Sequence, residues 1–349
     1  VACPFFIKKG CRRPVKALKC RDQNKRTNRL EKKMKYLNTI QPGEQVRETY
    51  MVKEVKQALT KNNKEYWNVT LQDKTGAVNA KVWDPTSPGI EEFAALDYIN
   101  IVADSQEYKG QLQLIIRQAT RVSVRDVVPE DFLPCSEYNI DEMYDELMNL
   151  ISSVKTSYMH ELLMSFFGDK DFKKNFCFCS AAKSVHHNFV GGLLEHTLSV
   201  ARVCNFFAKH YAFLDRDLLV TAAICHDIGK IDEFSPFPEN DYTDDGNLIG
   251  HIVIGAGMVR DHIKDIPDFP AVKAKELEHC ILAHHGELEF GSPKKPAICE
   301  AMALSFADNV DAKMQTMKQA IYNSPNTSLA WKGYNKFLES NVRATSPEE

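Results

Sequence analysis

The spacing of apolar residues changes once along the chain, between Val122 and Asn139, and the two sides of that change must be built differently. From Val46 to Val122 apolar and polar residues alternate in short runs, the period of half-buried strands. Val46 to Val55 reads as a strand, Thr60 to Lys64 as a polar loop and Tyr66 to Leu71 as a second strand. Asp73-Lys74-Thr75-Gly76 is a tight-turn signal that leads into a third strand, Ala77 to Trp83. A short helix is expected over Ile90 to Leu96, then strands at Tyr98 to Ala103 and Gln111 to Ala119 on either side of Lys109-Gly110. Past Pro129 and Pro134 the period becomes helical: Met143, Leu147, Leu150, Ile151 and Val154 fall at three- and four-residue spacing within Ile140 to Phe167. Helices are then expected in succession to the C-terminus.

Five strands with a helix between the third and fourth is the order of an OB-fold barrel. The expected fold class is therefore multidomain, an N-terminal all-β OB-fold barrel followed by an all-α helical bundle. The expected divisions are a basic segment over 1–35, the nucleic-acid-binding barrel over 36–122, a linker over 123–139, the bundle over 140–343 and a frayed end over 344–349. The basic segment carries thirteen Lys and Arg against Asp22 and Glu31, while the whole chain has a formal net charge of −3. It reads as a disordered tail or as sequence upstream of a natural start at Met34. A block this basic is also able to bind nucleic acid electrostatically.

No apolar run reaches the roughly 18 to 20 residues of a membrane span, and the N-terminus lacks a signal-peptide core, so a cytoplasmic protein without membrane contact is expected. The ten cysteines contain no C-x-x-C pair and read as reduced, mostly buried thiols. Cys177 and Cys179 lack zinc-ribbon spacing.

Within the helical half, seven side chains with metal-ligating chemistry follow one another: His196, His226-Asp227, His251, His284-His285 and Asp308. His196 falls in the first turns of an apolar stretch, Leu193 to Phe207, opened by Gly191-Gly192. The next helix is expected from Asp215 to Ile228 with Gly229 as C-cap, placing His226 and Asp227 in its last turn, where the negative end of the helix dipole suits cation ligands. His251 falls in an apolar helix expected over Leu248 to Val259. Adjacent helix residues diverge by roughly 100°, so a His-Asp pair can embrace one cation while the second carboxylate oxygen reaches another. The expected first site is His196, His226, Asp227 and Asp308; the second is Asp227, His251, His284 and His285. Mixed imidazole and carboxylate ligands suit two divalent transition metals, Mn²⁺, Fe²⁺, Ni²⁺, Co²⁺ or Zn²⁺. Two such ions can share a hydroxide and hold a phosphate oxygen for in-line attack. Lys230, just after the HD-Ile-Gly turn, is expected to bind the scissile phosphate and balance transition-state charge. His186 and His187 are candidates for phosphate contact or for structural hydrogen bonds. His160, His210, His262 and His279 lack such a context.

His196-Thr197-Leu198, the run His226-Asp227-Ile228-Gly229-Lys230 and Asp308 resemble the HD-domain metal-dependent phosphohydrolases. More closely, Ala182 to His187, Gly191 to Thr197, His284-His285-Gly286 and Gly291-Ser292-Pro293 resemble the YhaM-type 3′→5′ exoribonucleases, as do Leu71 to Gly76 and Ala80 to Asp84 in the barrel. The likeness runs from Tyr36 to Phe337. It implies a manganese-preferring enzyme that trims RNA, and sometimes single-stranded DNA, from the 3′ end to nucleoside 5′-monophosphates; Asp227, as the bridge, and Lys230, as the phosphate-binding charge, are the expected catalytic residues. A cyclic-dinucleotide branch of HD domains carries Gly-Tyr-Pro after the double histidine, where this chain has Gly291-Ser292-Pro293. The alternatives are an HD-family nucleotide or cyclic-dinucleotide phosphohydrolase, and a nucleic-acid-binding adaptor with a silent HD domain. The sequence leaves the oligomeric state open, a homo-oligomer included.

OB-fold barrels hold single strands by stacking bases on aromatics beside a basic groove. Tyr66, Trp67, Trp83, Tyr98 and Tyr108 are the available aromatics, with Lys61, Lys64, Lys81 and Lys109 on or near the loops. Alternation allows only one of Tyr66 and Trp67 to face the ligand. Of these, Trp83, Tyr66, Lys81 and Lys109 are the expected RNA contacts.

Overall fold

The computed structural model describes residues 34–128, 131–183, 187–322 and 330–346. The basic segment over 1–33 with Cys3, Cys11 and Cys20, part of the linker, His186 and the last three residues lie outside the described residues. Residues 36–349 group into one unit, apart from 1–35.

Five strands close a barrel: β1 Gln45–Leu59, β2 Glu65–Asp73, β3 Gly76–Val82, β4 Tyr98–Tyr108 and β5 Gln111–Val122. The hydrogen-bonded order is β1-β2-β3-β5-β4, with only β3 and β5 parallel, the OB-fold topology expected from the strand pattern. β1 serves two partners, pairing with β4 through Met51 and with β2 beyond it, and its register slips between Val52 and Glu54. A bulge of this kind bends a strand around a barrel corner. Val46, Val69, Leu71, Ala80, Ile99, Ile101 and Leu114 fill the interior.

Three details of the barrel differ from expectation. β4 continues to Tyr108, because Asp104 to Glu107 are polar and hide the strand from an apolar count while Ser105 is buried and the rest face water or a groove. No helix forms over Ile90 to Leu96. There Glu91 N donates to Ala119 O at 2.9 Å and Leu96 N to Val52 O at 2.7 Å, so donors that a helix would use internally are committed to neighbouring strands. Leu96 also adopts a φ of 72°. Tyr98 is not available to a ligand: it is buried, with its ring edge-on to Phe132 at 4.9 Å.

Beyond residue 139 come α1 Ile140–Ser152, α2 Ser157–Phe167, α3 Lys170–Phe178, α4 Gly192–His210, α5 Arg216–Cys225, α6 Lys230–Glu233, α7 Asp244–Leu248, α8 His251–Lys264, α9 Ala271–Ala283 and α10 Cys299–Tyr322. α1 buries Met143, Tyr144, Leu147 and Ile151, one helical face, each large apolar side chain contributing about 1.5–3 kcal/mol. α5 has no polar face: every residue from Leu218 to Cys225 is buried, and α2, α4, α9 and α10 pack around it. Its C-terminal end therefore opens into the middle of the bundle rather than into solvent.

That end is shorter than expected. α5 stops at Cys225 rather than Ile228, and His226 is its C-cap. Gly229 is not a left-handed cap; its φ is −64° and it precedes α6. The need for glycine is one of space. A Cβ on Gly229 would lie 2.1 Å from His251 O and 2.6 Å from Gly255 N, because α8 packs its first turn directly against the turn. α8 begins at His251, not Leu248, since Leu248 ends α7 and Gly250 breaks the chain between them with a φ of 81°. Nor do helices continue to the C-terminus. Trp331–Asn335 and Ser340–Arg343 form an antiparallel hairpin, β6 and β7, whose register slips at Gly333. Among the described residues no helix is long and apolar enough to cross a membrane.

Candidate active site and nucleic-acid interface

His196, His284 and His285 line a cavity of about 350 Å³, His226 and His251 stand beside them, and each of the five is held by its Nδ1 edge. His226 and His284 are the C-caps of α5 and α9, and their Nδ1 atoms lie 2.7 Å from the carbonyls of Ala223 and Ile281, three residues back in the same helix. His285 Nδ1 is 2.8 Å from Phe290 O, His196 Nδ1 is 2.7 Å from an oxygen of Asp311, and His251 Nδ1 is 2.9 Å from Glu233 Oε1. Carbonyls and carboxylates only accept, so Nδ1 donates and, in the neutral ring, Nε2 keeps its lone pair. An imidazole fixed in this tautomer is prepared as a metal ligand.

The Nε2 atoms and two carboxylates gather into two groups. His196 Nε2 lies 3.2 Å from His226 Nε2, 3.2 Å from Asp308 Oδ1 and 3.3 Å from Asp227 Oδ2. On the other side, His251, His284 and His285 bring ligand atoms within 4.8 Å of one another. Asp227 lies between, its Oδ2 3.3 Å from His226 Nε2 and its Oδ1 3.5 Å from His251 Nε2 and 3.7 Å from His284 Nε2. The structure thus brings together all seven residues of the series, in the two groupings read from the sequence, with Asp227 shared.

Three buried atoms facing one another, Asp227 Oδ1, His251 Nε2 and His284 Nε2, have no hydrogen-bond partner. Leaving buried polar atoms unsatisfied costs about 1–3 kcal/mol each, and a divalent cation would satisfy all three at once. The donor set of imidazole nitrogen and carboxylate oxygen fits a transition metal better than Mg²⁺ or Ca²⁺. Electrostatics agree. Burial and then the neighbouring His285 and His226 hold His284 well below the ordinary histidine range, and burial and His251 lower His285, keeping both in the neutral, coordinating form. Burial opposes ionisation of Asp308, yet His196 and its neighbours draw its pKa down; Lys230 and the histidines do the same for Asp227. His196 is the exception: burial works against its charge, but Asp227, Asp308 and Asp311 together raise its pKa.

Lys230 lines the cavity with Nζ 2.6 Å from Asp227 Oδ2; burial disfavours its ammonium, but Asp227 outweighs that and keeps it charged. His187 is buried behind His196, with Nε2 3.1 Å from Asp311 Oδ2, and is not among the residues lining the cavity. Ser292 ties down the loop after the double histidine, its one hydroxyl proton shared between Leu282 O at 2.9 Å and Lys294 O at 2.8 Å. Asp311 and Glu233 were not singled out by sequence. Asp311 stands one helical turn after Asp308 on the same face of α10, a spacing too common among helix acids to mark it alone; Glu233 reaches back from α6 with no periodic cue. Burial pushes the Cys177 and Cys179 thiols up to about 12, so both stay protonated and are poor ligands.

On the barrel, a groove of about 560 Å³ is lined by Tyr66, Lys81, Trp83, Tyr108 and Lys109 among others. Tyr66 and Trp83 form an aromatic pair with ring centres 5.1 Å apart, and Lys81 Nζ lies 5.0 Å from the Tyr66 ring centre. Trp67 points the other way, buried edge-on to Phe93. The four barrel residues expected to touch RNA therefore share one face.

Comparison with known proteins bears on both halves. The HD domain family matches residues 193–313. The 3′-5′ exoribonuclease YhaM of Bacillus subtilis (strain 168) is 35% identical over 283 residues, 80% of this chain and 88% of that protein. The 3′-5′ exoribonuclease YhaM of Listeria monocytogenes serotype 4b (strain CLIP80459) is 33% identical over 291 residues, 82% of this chain and 91% of that protein. The second OB-fold domain of replication protein A from Methanococcus maripaludis covers 26% of this chain at 13% identity with a TM-score of 0.22, too slight a likeness to argue from. The strand order carries the barrel assignment, and the similarity across both halves carries the rest: the chain belongs to the YhaM family of 3′-5′ exoribonucleases.

Proposed function

We propose that this chain shortens single-stranded RNA from its 3′ end, releasing nucleoside 5′-monophosphates in the cytoplasm, with two divalent cations, Mn²⁺ foremost, held by the seven-residue series. The observation that carries the reading is the convergence of Asp227 Oδ1, His251 Nε2 and His284 Nε2, buried and without partners, on one point. His196, His226, Asp227 and Asp308 would hold one cation; Asp227, His251, His284 and His285 the other. Cations so bound supply Lewis-acid polarisation of the phosphodiester and lower the pKa of water.

The chain's own groups do the rest. Asp311, Glu233 and three backbone carbonyls fix the imidazoles, so the ligand geometry needs little reorganisation when substrate arrives. The Lys230 ammonium is a fixed positive charge on the cavity wall, placed to stabilise negative charge that develops on the phosphoryl oxygens as the 3′ oxygen of the penultimate nucleotide departs. Tyr66 and Trp83 offer a stacking surface, and Lys81 and Lys109 offer charge to the backbone. Stacking and backbone charge serve single-stranded DNA as well as RNA, and a labelled DNA strand in the same assay tells whether it is a second substrate.

The test is purified protein with Mn²⁺ and 5′-labelled RNA. A descending ladder is expected from wild type, and Asp227→Ala should lower the rate by at least 10³-fold while RNA binding persists. Full activity in that variant, or turnover of only dNTPs or cyclic dinucleotides, overturns the reading.

A further inference from the structure

Four amide side chains cross the floor of the barrel groove, one from each of four neighbouring strands: Asn68 on β2, Asn79 on β3, Gln113 on β5 and Gln106 on β4. They are hydrogen-bonded in one sense. Gln106 Nε2 donates to Gln113 Oε1 at 3.0 Å, Gln113 Nε2 to Asn79 Oδ1 at 2.8 Å, and Asn79 Nδ2 to Asn68 Oδ1 at 2.7 Å. Lys81 Nζ donates to the same Asn68 oxygen at 2.8 Å. A row of amides by itself can run either way, since each side chain is a donor at one tip and an acceptor at the other. Lys81 removes that freedom. An ammonium has no acceptor, so Asn68 must turn its oxygen toward Lys81, Asn79 must turn its nitrogen toward Asn68, and the same sense propagates to Gln106.

The row therefore has two unlike ends. Asn68 Nδ2 makes no hydrogen bond among the described residues and lies on the groove face with Lys81, two positions from Tyr66 on the same side of β2. Gln106 Oε1, also without a hydrogen bond among the described residues, lies at the Tyr108 end. Stacking alone is tolerant of sequence, whereas a fixed set of donors beside a stacking platform is not.

We propose that this amide row gives the groove a base preference. A base stacked at Tyr66 and Trp83 meets two donors, the Asn68 N–H and the Lys81 ammonium, and these suit an edge with two adjacent acceptors. Cytosine presents adjacent acceptors N3 and O2, and guanine N7 and O6; adenine has a single acceptor beside its amino group on either the Watson–Crick or the Hoogsteen edge, and uracil has N3–H between O2 and O4. The inference rests on the reading that this groove holds single-stranded RNA, and deepens it from strand binding to base selection.

Fluorescence anisotropy of the full chain with labelled octamers of cytidine, adenosine or uridine, in buffer without added divalent cation, tests it. The cytidine octamer should bind roughly tenfold more tightly than the other two. Asn68→Asp keeps the oxygen that Asn79 and Lys81 require and replaces the N–H with an acceptor; Asn68→Leu removes both. Either should bring the ratio of affinities close to one, a readout indifferent to any general weakening by charge. Equal affinities in wild type, or an unchanged ratio in both variants, overturn the base preference alone. Unchanged binding of all three octamers in Trp83→Ala overturns the RNA-groove reading and the preference with it.

Discussion

Asp311 is not among the residues lining the cavity, yet it organises the residue at the head of the series. Its carboxylate receives His196 Nδ1 at 2.7 Å, His187 Nε2 at 3.1 Å and the Ser199 hydroxyl, and burial notwithstanding these partners drive its pKa far down. Removing its charge while keeping its shape loosens the His196 ring rather than deleting a ligand. Asp311→Asn should weaken Mn²⁺ binding by about 10–100-fold in a calorimetric titration. Unchanged affinity would mean that His196 needs no such support. The contrast between ligands and supports also explains what could be read in advance. Few residue types bind transition metals, and five imidazoles and two aspartates in one order are hard to produce otherwise. Supporting carboxylates have no such rarity: Asp311 and Glu233 look like any of the many acids on helix surfaces until their histidine partners are seen.

At the level of elements, the turn between α5 and α6 is pinned by a backbone approach rather than by a cap. Gly229→Ala would push a methyl group into His251 O, displacing either the His-Asp turn or the first turn of α8, which carries His251. A loss of about 3 kcal/mol in urea unfolding is expected, together with reduced Mn²⁺ affinity. A second junction fastens the central helix α5 to α2. Asp217 Oδ2 accepts from Lys155 N and Thr156 N, both at 2.8 Å, and from Thr156 Oγ1 at 2.9 Å, joining the start of α5 to the start of α2. Burial would raise its pKa, but these donors and Arg216 lower it. A lowered carboxyl pKa stabilises the fold fully above the unfolded carboxyl range near 4, and that contribution fades as pH falls through the folded value. The stability difference between wild type and Asp217→Ala should be about 1–3 kcal/mol at pH 7 and should shrink as pH is lowered toward 3. The elements legible in sequence were those whose apolar spacing is set by a core, such as α1 and the barrel strands. The end of α5 is hidden because a glycine closing an apolar helical run mimics a cap, and the final hairpin because Trp331, Tyr334 and Val342 are too few to show alternation.

Across the whole molecule, the proposed metal centre, buried in the bundle, would tie cation binding to folding. A cation at about 100-fold its dissociation constant adds about 2.7 kcal/mol of stability, so Mn²⁺ should raise Tm by 5 °C or more, about the span expected for a domain of this size, and a chelator should reverse it. An unchanged Tm would place the cations outside the core. Asp227 gives this binding a further property. Because its two oxygens face different histidine groups, the two ions would share one negative charge, and neither affinity is a constant of its own site. By thermodynamic reciprocity, whatever factor the first ion changes in the binding of the second, the second changes in the first. A substitution at His285 would thus be felt at His196, and loading curves for this protein should be described by one coupled scheme instead of two separate constants.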